Sequence, residues 1–188
     1  MKYVTLNFRI RGTAPLLMHS GQLADPQNEI AKQLKKISTK RSKTDADHAE
    51  MSRLDWYGGM YLSNGEPCLL GEGMEAMLIE AARKSKRGPA AKAGILCEQN
   101  PPLLYDGPRD PHELWEAGGY ELTTGVRIRG NRIMRTRPMF TKWESVIEVQ
   151  YLDGLLNAGD VEQFLETGGL VIGIGDWRPK FGRFEVLH

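Results

Sequence analysis

The chain has 188 residues, 40% hydrophobic and 26% charged, enough apolar material to bury one core and hardly two. This excludes a disordered, collagenous or disulfide-stapled chain, and no apolar run approaches the ~20 residues of a membrane span. Net charge is only +1, but 20 of the 25 Lys and Arg residues fall in four acid-free stretches, 32–43, 83–92, 127–142 and 178–183, leaving the other 144 residues at −19. A solvated surface interleaves its charges. The segregation therefore points to a positive track for a polyanion on an acidic body if the stretches meet in space, and to separate solvated loops if they do not.

Residues 2–11 alternate, Val4, Leu6, Phe8 and Ile10 against Tyr3, Thr5, Asn7, Arg9 and Arg11, which predicts a half-buried strand. Short helices are expected over 28–37 and 44–56, the second capped by Thr44 or Asp45, with a mobile basic run at 40–43 between them. A small hairpin at 60–70 turns on Asn64-Gly65. Met74, Met77, Leu78, Ala81 and Ala82 fall on one face of a helix over 73–84. Residues 95–98 form a short strand candidate, and the proline-rich run 100–117 holds at most a small helix at 111–115. A basic hairpin is expected at 120–136 around Gly130-Asn131. Trp143, Ser145, Ile147, Val149 and Tyr151 alternate along a long strand. Asp160, with Gln163 three residues on, predicts a helix start, with Val161, Phe164, Leu165 and Ile172 on its core face. A glycine-rich loop then leads to a last strand over 181–187.

The six strongest elements run strand, helix, strand, strand, helix, strand. That order predicts an α+β fold with a ferredoxin-like, RRM-like βαββαβ core, one domain over 1–188 with large insertions at 12–71 and 99–141. Cys68 and Cys97 lack metal-ligand spacing and read as reduced thiols of a cytoplasmic protein. No signal peptide is visible. His19, His48, His112 and His188 are scattered, without HxH, HxxxH or HExxH spacing, so no metal site and no cofactor are expected. Gly71-x-Gly73-x-x-Ala76 has the form of a dinucleotide fingerprint, but Glu72 would oppose a pyrophosphate.

Three segments resemble the RAMP superfamily, the RNA-recognition-motif-based proteins of CRISPR effector complexes: Ile10-Arg11-Gly12-Thr13-Ala14-Pro15-Leu16, Leu70-Gly71-Glu72-Gly73-Met74-Glu75-Ala76, and Gly173 through Phe184. The chain is similar to the backbone subunits, which line up along guide RNA and carry thumb and finger insertions, and a stand-alone phage-type relative fits the same segments. Leu70 stands where the family usually has proline. The resemblance implies a partner in single-stranded RNA or DNA and self-association along the strand. It also directs attention to His19, near where some RAMP endonucleases hold a general base, and to Asp25, positioned like the cleaving aspartate of certain backbone subunits.

The residues expected to contact nucleic acid are Lys40, Arg41 and Lys43 in the first basic stretch and Lys84, Lys86 and Arg87 in the second. Arg127, Arg129, Arg132, Arg135 and Arg137 follow in the third, where the planar guanidinium suits bidentate phosphate contacts. Trp177, Arg178, Lys180 and Arg183 belong to the C-terminal loop, whose glycines at 173, 175 and 182 would let backbone amides approach phosphate and whose Trp177 could stack on a base. The alternative for that loop is a tight turn with Trp177 as core. The leading expectation is a non-enzymatic binder of single-stranded nucleic acid, contacting the phosphate backbone through a basic groove. The alternatives are a RAMP-like, metal-independent RNA endonuclease using His19 and a phage structural or protein-interaction module.

Overall fold

In the computed structural model the described residues are 1–128 and 130–188; Arg129, one of the expected contacts, lies outside them. The first strand, β1 (Tyr3–Gly12), alternates as expected: Val4, Leu6 and Phe8 are half-buried, Ile10 is buried, and the intervening side chains are exposed. A sharp bend leads to β2 (Leu16–Leu17), and a 3₁₀ turn at Gly21–Ala24 precedes two helices, α1 (Glu29–Ser38) and α2 (Asp45–Gly59). Their starts follow the chemistry of orphaned amides. The Asn28 side chain accepts from two backbone N–H groups of α1, and Thr44 with Asp47 forms a capping box on α2.

A two-stranded hairpin, β3 (Leu62–Ser63) and β4 (Glu66–Pro67), turns on Asn64 and Gly65 at φ of 53° and 82°, the left-handed pair that an Asn-Gly turn supplies. Next come α3 (Gly71–Lys84), α4 (Gly88–Gly94) and β5 (Ile95–Leu96). Met74, Met77, Leu78, Ala81 and Ala82 are buried on α3, the face read from the sequence. Gly71 is required for packing: a Cβ there would collide with the Cys97 and Gln99 carbonyls. The chain continues through α5 (Pro111–Ala117) into a long hairpin, β6 (Glu121–Ile128) and β7 (Asn131–Phe140), then β8 (Glu144–Leu152), α6 (Ala158–Val171) and β9 (Phe184–Leu187).

The main sheet has the order β5-β8-β1-β9, each neighbouring pair antiparallel, with Phe8 opposite Ile147 and Ile10 opposite Ser145. Its inner face packs on α3 and α6, with Ile147, Val149, Phe164 and Leu165 in one core. On the outer face Arg9 and Arg11 both pair with Glu144. The fold is thus α+β, with both helices of the core on one side of an antiparallel sheet.

The α6 start corrects the sequence reading. Asn157 is the N-cap, and Asp160 is its reciprocal partner three residues into the helix. Both side chains have capping chemistry; beginning at Ala158 satisfies one more turn of amides and gives Asp160 a second partner in Arg87. The helix α4 was not expected from the sequence.

The two insertions pack on one another rather than projecting apart. A second sheet, β2-β7-β6, carries α2 against it. Trp56 of α2 donates its indole N–H to the Tyr120 carbonyl at 2.8 Å and sits 5.3 Å from the ring of Trp115.

A candidate polyanion cleft between the insertions

The register of the second sheet builds the site. Leu16 pairs with Phe140 and Leu17 with Met139, and the Met18 amide donates to the Pro138 carbonyl. Just beyond it, His19 leaves the ladder, its amide donating to the Tyr61 hydroxyl, and its imidazole feels the charge of Arg137. The C-terminal loop crosses behind this pairing, where the Asp176 amide donates to the Leu17 carbonyl. Segments near residues 19, 137 and 176 thereby meet at one junction, where Arg137 pairs with Asp176 and both charges act on His19.

His19 and Arg137 line a cleft of about 1020 Å³, in which His19 is exposed. One wall is the 3₁₀ turn with α1 and α2; the other is β7 with Val126 of β6. Lys35 and Lys43 come from the first basic stretch, Arg132, Arg135 and Arg137 from the third. His19 and His48 add two imidazoles, and Asp55 is the one acidic residue among the described lining. Leu23, Ala31, Leu34, Met51 and Ile133, all half-buried, form an apolar floor.

The inner cations are engaged. Arg135 holds Asp55 at 2.9 Å, where the Asp55 side chain is only 7% exposed. Burial pushes the Asp55 carboxyl above its ordinary 3.8, against the opposing pull of Arg135. Arg137 pairs with Asp176 and lies 5.0 Å over the Trp177 ring. Its Nε and Nη1 are buried without a hydrogen bond, so the contact with Asp176 is an ion pair lacking hydrogen-bond alignment. Burial, then the charge of Arg137, pulls the His19 imidazole below its ordinary 6.5; Arg135 acts in the same direction, Asp176 and Asp55 against it. At the mouth, Lys35 and Arg132 are exposed.

The four basic stretches meet only in part. The first and third share the cleft. The fourth touches its edge: Trp177 is 37% exposed beneath Arg137, whereas Arg178 faces Glu80 and the Gly173 carbonyl, Lys180 lies 5.6 Å over the Phe181 ring, and Arg183 is exposed. The second stretch is elsewhere. Arg87 binds the Leu155 carbonyl and Asp160, and Lys84, the last residue of α3, and Lys86 just beyond it are exposed; none of the three lines the cleft. Lys40 is drawn to Asp47 at 2.6 Å, a contact that holds the Asp47 carboxyl down at about 2. Lys43 donates to the Lys40 carbonyl, so the run expected to be mobile is tied to the start of α2. Arg41 and Arg127 are exposed outside the cleft lining.

The C-terminal loop spends its amides internally. Those of Gly173, Ile174, Asp176 and Gly182 donate to the carbonyls of Gly168, Gly182, Leu17 and Pro15, which leaves them no free donor for phosphate. Gly182, at φ 74°, faces the Ile174 carbonyl where a Cβ would stand, so this glycine serves tight packing. Asp25 accepts from the Gln27 amide in a local turn and does not line the cleft.

Lys35, His48 and Asp55 were not singled out from the sequence. His48, Met51 and Asp55 stand at i, i+3 and i+7 on α2, a helical stripe that could have flagged one polar face. Cys68 and Cys97 are buried and free, their thiols pushed up to about 11 and about 12 by burial. No helix among the described residues is long and apolar enough to cross a membrane. The sequence matches no protein-family model and no curated protein.

Proposed function

We propose that the chain binds single-stranded nucleic acid, RNA or DNA, in the cleft between its two insertions, holding the phosphate backbone with the basic rim. The carrying observation is that cations from two distant stretches line one cleft, Lys35, Lys43 and Arg132 beside Arg135 and Arg137, the last two paired with Asp55 and Asp176. The body outside the basic stretches is acidic, which concentrates anion attraction at that opening. The sheet order β5-β8-β1-β9 with α3 and α6 on one side supports reading the core as ferredoxin-like and RRM-like, in keeping with the RAMP resemblance. The outer sheet face, in contrast, carries Arg9 and Arg11 already bound to Glu144 and no central aromatic pair, so it gives no support to base stacking there.

Fluorescence anisotropy with labelled single- and double-stranded RNA and DNA, each at two salt concentrations, tests the reading. Single strands should bind with log K falling by about 0.7 per neutralised phosphate for each log unit of salt. A salt-independent profile, or no binding to any strand, contradicts it and favours a protein-interaction module. Lengthening the strand should add copies of the chain in proportion, if copies align along it.

One observation favours a second reading, metal-independent RNA cleavage: His19 lines the same cleft as Arg135 and Arg137, which places an imidazole that is neutral near pH 7 beside cations able to hold a phosphate. Labelled RNA incubated with chelator should then be cut by the native chain and not by His19→Ala. Uncut RNA rejects this reading and leaves the binding reading intact.

A further inference from the structure

The helix α1 has an apolar face without a full partner. Its sequence places Ile30, Ala31, Leu34 and Ile37 on one side, an amphipathic pattern that ordinarily buries that side, yet none of its ten residues is fully buried. It packs on α2 and on the preceding 3₁₀ turn, and Ala31 and Leu34 instead look into the cleft, toward Ile133 on β7. Val126 and Met51 continue the same floor. The lining cations outside the ion pairs are Lys35, one residue from Leu34 on α1, and Arg132, both exposed, with Lys43, half-buried and donating to the Lys40 carbonyl. An occupant that suits this arrangement is apolar and flat on one side and anionic on the other. Duplex nucleic acid keeps its flat base faces stacked within and shows such a cleft only phosphates, sugars and base edges. A single strand offers both surfaces.

From this geometry, resting on the function proposed above, we infer that the cleft takes unpaired bases inward onto the floor made by Leu34, Met51 and Ile133, with phosphates held outward by Lys35, Lys43 and Arg132. Recognition then selects for unpaired bases and not for negative charge alone. The strand completes the apolar face of α1, so binding also orders that helix. The volume of about 1020 Å³ lies at the top of the range of ligand pockets, ample for more than one base. Floor contacts by aliphatic and methionine side chains are soft and adaptable, which predicts weak discrimination among the four bases.

The test compares a short single strand with an abasic strand of the same phosphate count, using whichever of RNA or DNA binds more tightly. The base-bearing strand should bind about tenfold better, from the apolar base surface that the aliphatic and methionine floor removes from water. Leu34→Gln, and separately Met51→Gln, should shrink that difference while the thermal melting curve stays in place, since neither side chain is fully buried. Amide hydrogen exchange should show α1 protected on binding. Equal affinity for the two strands with a steep salt slope overturns base insertion and leaves backbone binding standing; failure of every strand to bind overturns both.

Discussion

The ion pairs decide which side chains can be altered cleanly. Asp55 is buried against Arg135, and removing a partner from such a pair leaves an uncompensated charge. Arg135→Ala should therefore cost on the order of 2 kcal/mol in urea unfolding, below the roughly 3–5 of a fully buried pair because the arginine is a third exposed. Asp55→Asn in the same chain should recover part of that loss; additive losses would contradict the pairing. His19 makes a pH prediction. Its pKa is lower in the folded chain than the ordinary 6.5, so above that value the imidazole is neutral in both states and contributes nothing. As pH falls below 6.5 the unfolded chain takes the proton first, and native stability declines until the folded imidazole titrates too. Relative to His19→Gln, the native chain should lose stability as pH falls below 6.5; parallel curves for the two chains would refute the assignment.

Element by element, the sequence was most informative where one periodic face met one core. The α3 face of Met74, Met77, Leu78, Ala81 and Ala82 is buried as its spacing requires, and the alternation of β8 survives intact, with Ser145 through Tyr151 buried at every second residue. Helix starts with competing caps were harder. Asn157 and Asp160 both suit an N-cap, and only the reciprocal hydrogen bonds decide that Asn157 holds the position. Asn157→Ala should cost about 1 kcal/mol in urea unfolding, and an effect within error would place the helix start elsewhere. The seven-residue α4, bounded by glycines with proline in its first turn, is too short for periodicity to reveal. The cleft was invisible for a different reason. It depends on residues 16–18 pairing with 138–140, a long-range register that no local pattern encodes, so the basic stretches could be counted but not placed.

At the scale of the molecule, the segregated charges resolve into one basic-lined cleft and two outlying groups. The first and third basic stretches converge between insertions that are held together by the packing of Trp56 against Trp115. Arg87 of the second stretch is engaged at the start of α6 while Lys84 and Lys86 are exposed away from the cleft, and the fourth stretch lies in the loop behind β2. A simple count of acid-free stretches thus overstates the binding surface, because arginines such as Arg87 serve the fold. Polyanion binding in this cleft requires its cations to act together, and the clean probes are those outside the ion pairs of Arg135 and Arg137. The decisive measurement is affinity for a single strand against salt concentration, for the native chain and for the combined Lys35→Ala, Lys43→Ala and Arg132→Ala variant. The log–log slope should become shallower by about 2, near 0.7 for each lost phosphate contact, with the melting temperature unchanged. An unaltered slope and affinity in that variant would contradict the assignment of this cleft as the binding surface.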